Sequence, residues 1–222
     1  MLPAPPLLVI SDRRQARQPL QQVVEAVFAG GCRWFSLREK DLPRDERRSL
    51  LGALVTLGRR FGAVVTAHED IEAVAAVGAD GVHLPGDGSP VAARARLPGA
   101  LIGASAHSAD EAAASLRAGV DYVTLSPVFL TASKPGYGPE LGLDGLARIV
   151  VQVPGDVVAL GGITAENAAA CFAAGARGIA VMGEVMRAAD PQATVEHLLR
   201  AMSGLHGSIE ANIRRYDKVN GE

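Results

Sequence analysis

The segment FSLREK, Phe35–Lys40, places three charged side chains directly after an apolar run of the kind that forms buried strands. Along an extended chain Arg38 and Lys40 lie on one side and Glu39 on the other, because side chains alternate. Two cations on the same side could bind an anion such as a phosphate. A strand that ends in solvent would also carry charged residues at its end. The two interpretations differ in whether the fold places this end at a binding site or at the open surface.

Glycines provide a second place where an anion could bind. Gly161 and Gly162 follow the apolar segment VVAL, and Met182 and Gly183 follow GIAV. Glycine lets backbone N–H groups approach an anion closely, and the amino end of a helix adds a favourable dipole. A tight turn between a strand and a helix would explain a Gly-Gly pair equally well.

A third set of polar residues follows two further apolar segments. Ser105 and His107 lie in SAHS, and a long connecting segment carries Thr131, Ser133 and Lys134. A lysine flanked by hydroxyl groups suits anion binding. Because an imidazole has an unperturbed pKa near 6.5, His107 is a candidate general acid or base. A histidine that only holds a neighbour by a hydrogen bond is the alternative.

These residues fall at the ends of elements in a repeating pattern. The segments AGGCRWFSL, VGADGVHL, AGVDYVTL and AGARGIAV each indicate the end of a helix, a glycine, a short turn and a buried strand. With four similar apolar runs, the pattern predicts strands near 7–11, 34–38, 63–67, 81–85, 101–106, 122–126, 157–161 and 178–182. Helices are predicted between them, with Ser108, Thr164 and Asp190 as N-caps.

Eight strands alternating with helices predict a single (β/α)8 TIM barrel over residues 1–205, followed by a polar tail over residues 206–222. An open doubly wound sheet is the alternative, but it more often has five or six strands and a glycine-rich turn after the first. In such a barrel the active site lies at the carboxyl ends of the strands, where every candidate residue above is expected. Two anion sites on one face suggest a phosphorylated substrate, or two phosphorylated partners.

Composition excludes several other classes of protein. The 222 residues carry a formal net charge of −2 with no basic run, which argues against a nucleic-acid partner. No segment approaches the roughly 18 unbroken apolar residues of a membrane span, and the amino terminus does not resemble a signal peptide. The two cysteines have no metal or redox spacing, so we expect buried thiols in a cytoplasmic protein.

The order of these motifs resembles a known family. LREK, GADGVHL, SAHS, the TASKPG loop, ALGGIT with a following Asn167, and GIAVM are similar to segments of the thiamin phosphate synthase/TenI superfamily, over residues 7–200. The resemblance implies a (β/α)8 barrel that acts on a thiazole phosphate. It also implies one of two activities. A synthase joins a pyrimidine diphosphate to the thiazole phosphate and expels pyrophosphate with the help of magnesium, whereas a TenI-type tautomerase moves a proton and needs no metal.

The sequence departs from the synthase pattern at the positions that the resemblance assigns to magnesium. Glu69 stands where synthases carry an aspartate, and Gly88 stands at the second acidic position with Asp87 one place early. Mg²⁺ requires near-ideal octahedral geometry, so Glu69 and Asp87 are the metal ligands only if the chain is a synthase. Ser36 replaces a glutamine that helps synthases to hold the pyrimidine.

These departures favour a metal-independent thiazole tautomerase, in which the resemblance makes His107 the acid/base residue. The first alternative is a magnesium-dependent thiamin phosphate synthase. The second is a non-catalytic barrel that binds thiazole or thiamin phosphates and regulates a partner. Barrels of this kind often pair, so a homo-oligomer is a further expectation.

Overall fold

Eight short strands pair in parallel, in the order of the sequence, and close into a barrel in the computed structural model, which describes residues 1–131 and 139–203. The strands are β1 Leu7–Ile10, β2 Trp34–Leu37, β3 Val64–His68, β4 Gly81–Leu84, β5 Leu101–Ala106, β6 Tyr122–Leu125, β7 Asp156–Leu160 and β8 Gly178–Val181. The register of β1 on β8, with Leu8 opposite Ala180, closes the ring. The predicted (β/α)8 barrel is therefore confirmed, and an open doubly wound sheet is excluded.

A helix follows each strand. The helices are α1 Leu20–Ala29, α2 Arg44–Arg60, α3 Ile71–Val77, α4 Pro90–Arg96, α5 Ala109–Arg117, α6 Gly142–Val150, α7 Ala165–Ala173, the short α8 Gly183–Met186, and α9 over residues 191–203. Two of the predicted caps are confirmed by hydrogen bonds. Ser108 accepts one from the Glu111 N–H at 3.2 Å, and Asp190 accepts one from the Ala193 N–H at 3.0 Å. Thr164 lies at the N-cap of α7, as predicted.

Large side chains fill the amino half of the barrel interior. The ring of Trp34 packs edge-on against Tyr122, with the two centroids 4.9 Å apart. Leu8, Val158 and Ala180 complete this fully buried layer. Because the strands are only four to six residues long, one such layer closes the bottom of the barrel and leaves the carboxyl half for a cavity.

His83 lies above this layer and joins neighbouring strands through both of its ring nitrogens. It is 1% exposed, and its Nδ1 lies 3.1 Å from the Tyr122 hydroxyl. Its Nε2 lies 3.1 Å from Ser105 Oγ and 3.3 Å from Thr124 Oγ1. Burial, and secondarily the positive charge of Arg38, lowers the pKa of His83 to about 3. The ring is therefore neutral at physiological pH.

This depressed pKa predicts that acid destabilises the fold. Between pH 6.5 and about 3 the unfolded chain binds a proton at His83 that the folded chain does not, so the free energy of unfolding falls as pH falls. The expected slope from this group is at most about 1.4 kcal/mol per pH unit. Urea denaturation at pH 6.5 and 5.0 measures it. His83→Gln should flatten the slope, whereas His197→Gln, at an exposed position on α9, should leave it unchanged.

Three further expectations concern the chain as a whole. Cys32 and Cys171 are both free and buried, as predicted. Within residues 1–131 and 139–203, none of the helices combines the length and the apolar character that crossing a membrane requires. The predicted polar tail over 206–222 lies outside the described residues.

Candidate active site

A cavity of about 440 Å³ opens at the carboxyl ends of the barrel strands. The structure brings most of the predicted site residues together in its wall: Arg38, Lys40, Ser105, His107, Thr131, Gly161, Gly162, Met182 and Gly183. Ser133 and Lys134 lie outside the described residues, so their predicted place at the same site is still a prediction. The convergence follows from the topology, because parallel strands in a closed barrel end at one face.

The residues that follow β2 form the cationic side of the cavity, and their side chains alternate in direction as predicted. Arg38 and Lys40 line the cavity, while Glu39 points away from it and is only 2% exposed. The Glu39 carboxylate accepts hydrogen bonds from the Arg13 N–H at 3.0 and 3.2 Å. Burial raises the pKa of Glu39, against the lowering effect of these bonds and of Ser11. Ser11 also accepts a hydrogen bond from the Arg38 N–H at 2.8 Å, so Glu39 and Ser11 fix the backbone that presents the cations.

The opposite side of the cavity is a glycine-lined wall after β7. Gly161 and Gly162 adopt φ angles of 104° and 62°, which side-chain-bearing residues rarely adopt. A Cβ at Gly162 would collide with the carbonyl oxygen of Leu130 and would lie 2.7 Å from Phe129 Cβ. The Gly162 carbonyl accepts a hydrogen bond from the Asn167 side chain at 2.9 Å. This turn therefore requires glycine, and α7 holds it in place.

His107 lies between the two sides, on an exposed position that follows β5. Its Nδ1 is 2.8 Å from the Ser126 carbonyl oxygen. A carbonyl oxygen can only accept, so Nδ1 carries the proton in the neutral ring and Nε2 is left with its lone pair. The ring is therefore oriented as a hydrogen-bond acceptor at Nε2.

Sequence reasoning missed several residues that line the cavity. Among them are Ile10, His68, Ser126, Leu160, Glu184 and Arg187. The ring of His68 lies 4.6 Å from that of His83, and the two residues are in register on neighbouring strands. Strand alternation could have placed His68 inside, two residues after Thr66. Arg187 could not have been found in this way, because it reaches the cavity over Gly183 from the far end of α8.

The residues that the resemblance assigns to magnesium do not fit a metal site built by the protein. The Glu69 carboxylate already forms an ion pair with the Lys40 ammonium. Asp87 is exposed and does not line the cavity, and Gly88 has no side-chain oxygen. In the described part of the chain, no group of three or more acidic, histidine or cysteine side chains is placed to hold a metal ion. Mg²⁺ needs oxygen ligands in octahedral geometry, which this set does not supply.

A closed eight-stranded parallel barrel with its cavity at the carboxyl ends of the strands defines the (β/α)8 class of enzyme. Residues 7–185 match the model of the TMP-TENI family, described as thiamine monophosphate synthase. The chain belongs to this family.

Similar proteins agree with that assignment. A thiamine-phosphate synthase of Methanoculleus marisnigri is 41% identical over 195 residues, which cover 86% of this chain and 92% of that protein. One of Chloroflexus aurantiacus is 38% identical over 199 residues, which cover 89% and 92%. The solved structure of a thiamine phosphate pyrophosphorylase from Pyrococcus furiosus superposes with a TM-score of 0.82 at 33% identity, covering 90% of this chain and 96% of that one.

These comparisons favour one of the alternatives that the sequence left open. The departures at Glu69 and Gly88 favoured a tautomerase, but the similar proteins are synthases, and nothing in the comparisons supports an isomerase. The prediction of an enzyme is confirmed, with a transferase family as its class. The comparisons do not support the preference for a tautomerase, which gave two metal positions more weight than the similarity of the whole barrel.

Proposed function

We propose that this protein joins a pyrimidine diphosphate to a thiazole phosphate, giving thiamin phosphate and pyrophosphate. The thiazole nitrogen donates its lone pair to the pyrimidine methylene carbon and forms the new C–N bond. The C–O bond to the diphosphate breaks, and pyrophosphate leaves with the electron pair. The step therefore needs two anion sites and a shared space between them, in which the nitrogen can face the methylene carbon.

One observation carries this proposal: a single cavity has cations on one side and a glycine-lined wall on the other. Arg38 and Lys40 suit the diphosphate, because a guanidinium and an ammonium stabilise the charge that grows on the leaving group. Gly162 and Gly183 suit the thiazole phosphate, because they permit backbone N–H groups to approach it. Ser105 and Thr131 line the space between, where hydroxyl groups can orient the two rings.

Magnesium, where a synthase binds it, supplies positive charge to the leaving pyrophosphate. Because Glu69 and Asp87 do not fit a magnesium site, we assign the described residues no step through the metal. Arg38 and Lys40 provide counter-charge from the protein itself.

Product analysis tests the proposal. Purified protein is incubated with a pyrimidine diphosphate and a thiazole phosphate, and thiamin phosphate and pyrophosphate are both quantified. We expect them to form in equal amounts. Conversion of a thiazole tautomer with no thiamin phosphate would instead identify an isomerase, and binding of thiazole phosphate without any turnover would identify a regulatory barrel.

His107 gives a second way to distinguish these activities. The coupling reaction transfers no proton in its bond-forming step, so His107→Ala should lower thiamin phosphate formation only about tenfold, by removing a hydrogen-bond acceptor. His107→Gln, which keeps an acceptor, should restore most of that loss. A general acid/base would instead lose roughly 10²–10⁴-fold in both variants. Steady-state kcat and KM for each variant provide the measurement, and a loss of that size in both would contradict a role for His107 as a hydrogen-bond acceptor alone.

A further inference from the structure

A chain of hydrogen bonds runs from the buried layer at the bottom of the barrel to the wall of the cavity. The Tyr122 hydroxyl lies 3.1 Å from Nδ1 of His83, and Nε2 of His83 lies 3.1 Å from Ser105 Oγ. Tyr122 on β6 is fully buried, whereas Ser105 on β5 is half-buried and lines the cavity. The chain therefore connects a phenol that no substrate can reach with a hydroxyl that a substrate can contact.

Packing holds the Tyr122 hydroxyl in this position. The ring lies against Gly103, where a Cβ would collide with it and would lie 2.5 Å from the hydroxyl oxygen. The Trp34 ring packs edge-on against Tyr122. Among the described residues, the structure gives this hydroxyl no hydrogen-bond partner other than His83. Burial raises the pKa of Tyr122, so the phenol keeps its proton, and that proton has only Nδ1 of His83 as an acceptor.

The Tyr122 proton decides which nitrogen of His83 carries the ring proton. A neutral imidazole has one N–H group and one lone pair. Because a buried donor without an acceptor is costly, the phenol donates to Nδ1, which must then be the nitrogen with the lone pair. The ring proton is therefore on Nε2. It is donated to Ser105 Oγ, with Thr124 Oγ1 at 3.3 Å as a second acceptor.

The opposite tautomer of His83 is less favourable. It would place the ring proton on Nδ1 and leave the Tyr122 O–H without an acceptor. In return, the buried Thr124 hydroxyl could donate to Nε2. One buried hydroxyl proton is unpaired in either arrangement. A phenol, with an ordinary pKa of about 10, is a stronger donor than an alcohol, so leaving the phenol unpaired costs more.

We propose that Tyr122 and His83 set the direction of the Ser105 hydroxyl, so that Ser105 serves as a hydrogen-bond donor to the substrate. Ser105 Oγ accepts from Nε2–H, and its own proton points into the cavity. Ser105 then selects a substrate atom with a lone pair over an N–H group at the same place. Tyr122 and His83 act through Ser105 and are positioning residues. For the identity of the two substrates, this inference rests on the proposed function.

Long-range proton–nitrogen NMR correlation spectra of the ¹⁵N-labelled protein test the direction of the chain, because protonated and lone-pair ring nitrogens resonate far apart. The His83 signals are assigned by their absence in His83→Gln. We expect a proton on Nε2 and a lone pair on Nδ1 at both pH 6.5 and 5.0, since the pKa of His83 is about 3. The Nδ1 signal should shift in Tyr122→Phe, which removes its donor. A proton on Nδ1 in the parent protein, or an unshifted Nδ1 signal in Tyr122→Phe, would overturn the inference.

Thr66→Val is the matched control for Tyr122→Phe. It also removes a buried hydroxyl from the barrel interior, but the Thr66 hydroxyl donates to the Phe35 carbonyl oxygen at 3.3 Å and not to His83. The Nδ1 signal of His83 should therefore stay at its parental position. A shift as large as in Tyr122→Phe would show that the signal reports general repacking, and would contradict a specific bond from the phenol.

Calorimetric titration with each substrate alone tests the donor role of Ser105. We expect Ser105→Ala to weaken binding of one substrate, the pyrimidine diphosphate or the thiazole phosphate, about tenfold, and the affected substrate is the one that carries the acceptor. The affinity for the other should stay within about twofold. His83→Gln, whose amide can accept from Tyr122 and donate to Ser105, should bind that substrate more tightly than His83→Leu. Parental affinity for both substrates in Ser105→Ala, or equal losses for both, contradicts the inference.

Turnover separates this inference from the proposed function. If thiamin phosphate forms and the ring proton of His83 is on Nε2, both are supported. If thiamin phosphate forms but the proton is on Nδ1, the synthase activity stands and the proposed direction of the Ser105 hydroxyl is wrong. If no thiamin phosphate forms, the proposed function is wrong, while a proton on Nε2 and weaker binding of one ligand by Ser105→Ala still support Ser105 as a donor.

Discussion

Gly162→Val is expected to weaken binding of a thiazole phosphate by at least about a hundredfold. The added Cβ would collide with the Leu130 carbonyl oxygen and with Phe129, so the loop after β6 has to move away from the cavity. The φ of 62° is also unfavourable for valine. Losing backbone hydrogen bonds to a phosphate and displacing this wall together cost roughly 3–6 kcal/mol, or about 10²–10⁴ in affinity.

Gly62 provides a matched control for this variant. Its φ is also 62°, but a Cβ there would meet nothing within 4 Å. Gly62→Val therefore imposes the same backbone strain at a site between α2 and β3, far from the strand ends that form the cavity. Calorimetry with thiazole phosphate and the urea midpoint are measured for both variants. We expect the urea midpoint to fall in both variants, and further in Gly162→Val because the collision adds to the backbone strain, with binding lost only in folded Gly162→Val. Unchanged affinity in Gly162→Val would show that the phosphate binds elsewhere.

Local sequence patterns predict this fold well because each of its units is local. A helix ending at a glycine, a turn and an apolar strand recur through the chain. Eight parallel strands joined by helices through right-handed connections then close into a barrel in the order of the sequence. The ends of β5 were predicted to the residue, and those of the other strands to within one. Most residues of the candidate site, such as Arg38 and Gly162, could be predicted because they directly follow the carboxyl ends of these strands.

The residues that the sequence did not indicate reach the site through tertiary contacts. Arg187 lies beyond α8, and its contact with Gly183 depends on how that short helix packs. Arg44 and Arg47 belong to an ordinary helix start, and only the fold brings them to Asp70 at the start of α3, at 3.7 and 3.0 Å. Likewise, the pairing of Lys40 with Glu69 joins two strand ends that are adjacent only in the barrel. Spacing along the chain carries no signal for such contacts.

Arg38→Met is expected to lower kcat/KM for the pyrimidine diphosphate by about a thousandfold. Arg38 is partly buried, it lines the cavity next to the neutral His83, and its charge contributes to the low pKa of that ring. Removing one partner of a desolvated, hydrogen-bonded charge pair costs about 2–5 kcal/mol, or roughly 30- to 5,000-fold. The KM for the thiazole phosphate should change little, because its proposed site lies across the cavity.

Two further arginine variants separate charge, geometry and stability in this prediction. Arg38→Lys keeps the charge but loses the planar fork, so it should recover part of the rate without reaching the parental value. Arg33→Met changes the other end of the same strand, where Arg33 donates to the carbonyl oxygens of Phe28 and Cys32 at 2.8 and 2.7 Å. In a (β/α)8 barrel the amino ends of the strands serve stability, so Arg33→Met should lower the urea midpoint and leave kcat/KM near the parental value. If Arg38→Met and Arg33→Met instead lose activity to the same extent, Arg38 acts on the fold, and the diphosphate must be bound by other cations of the cavity.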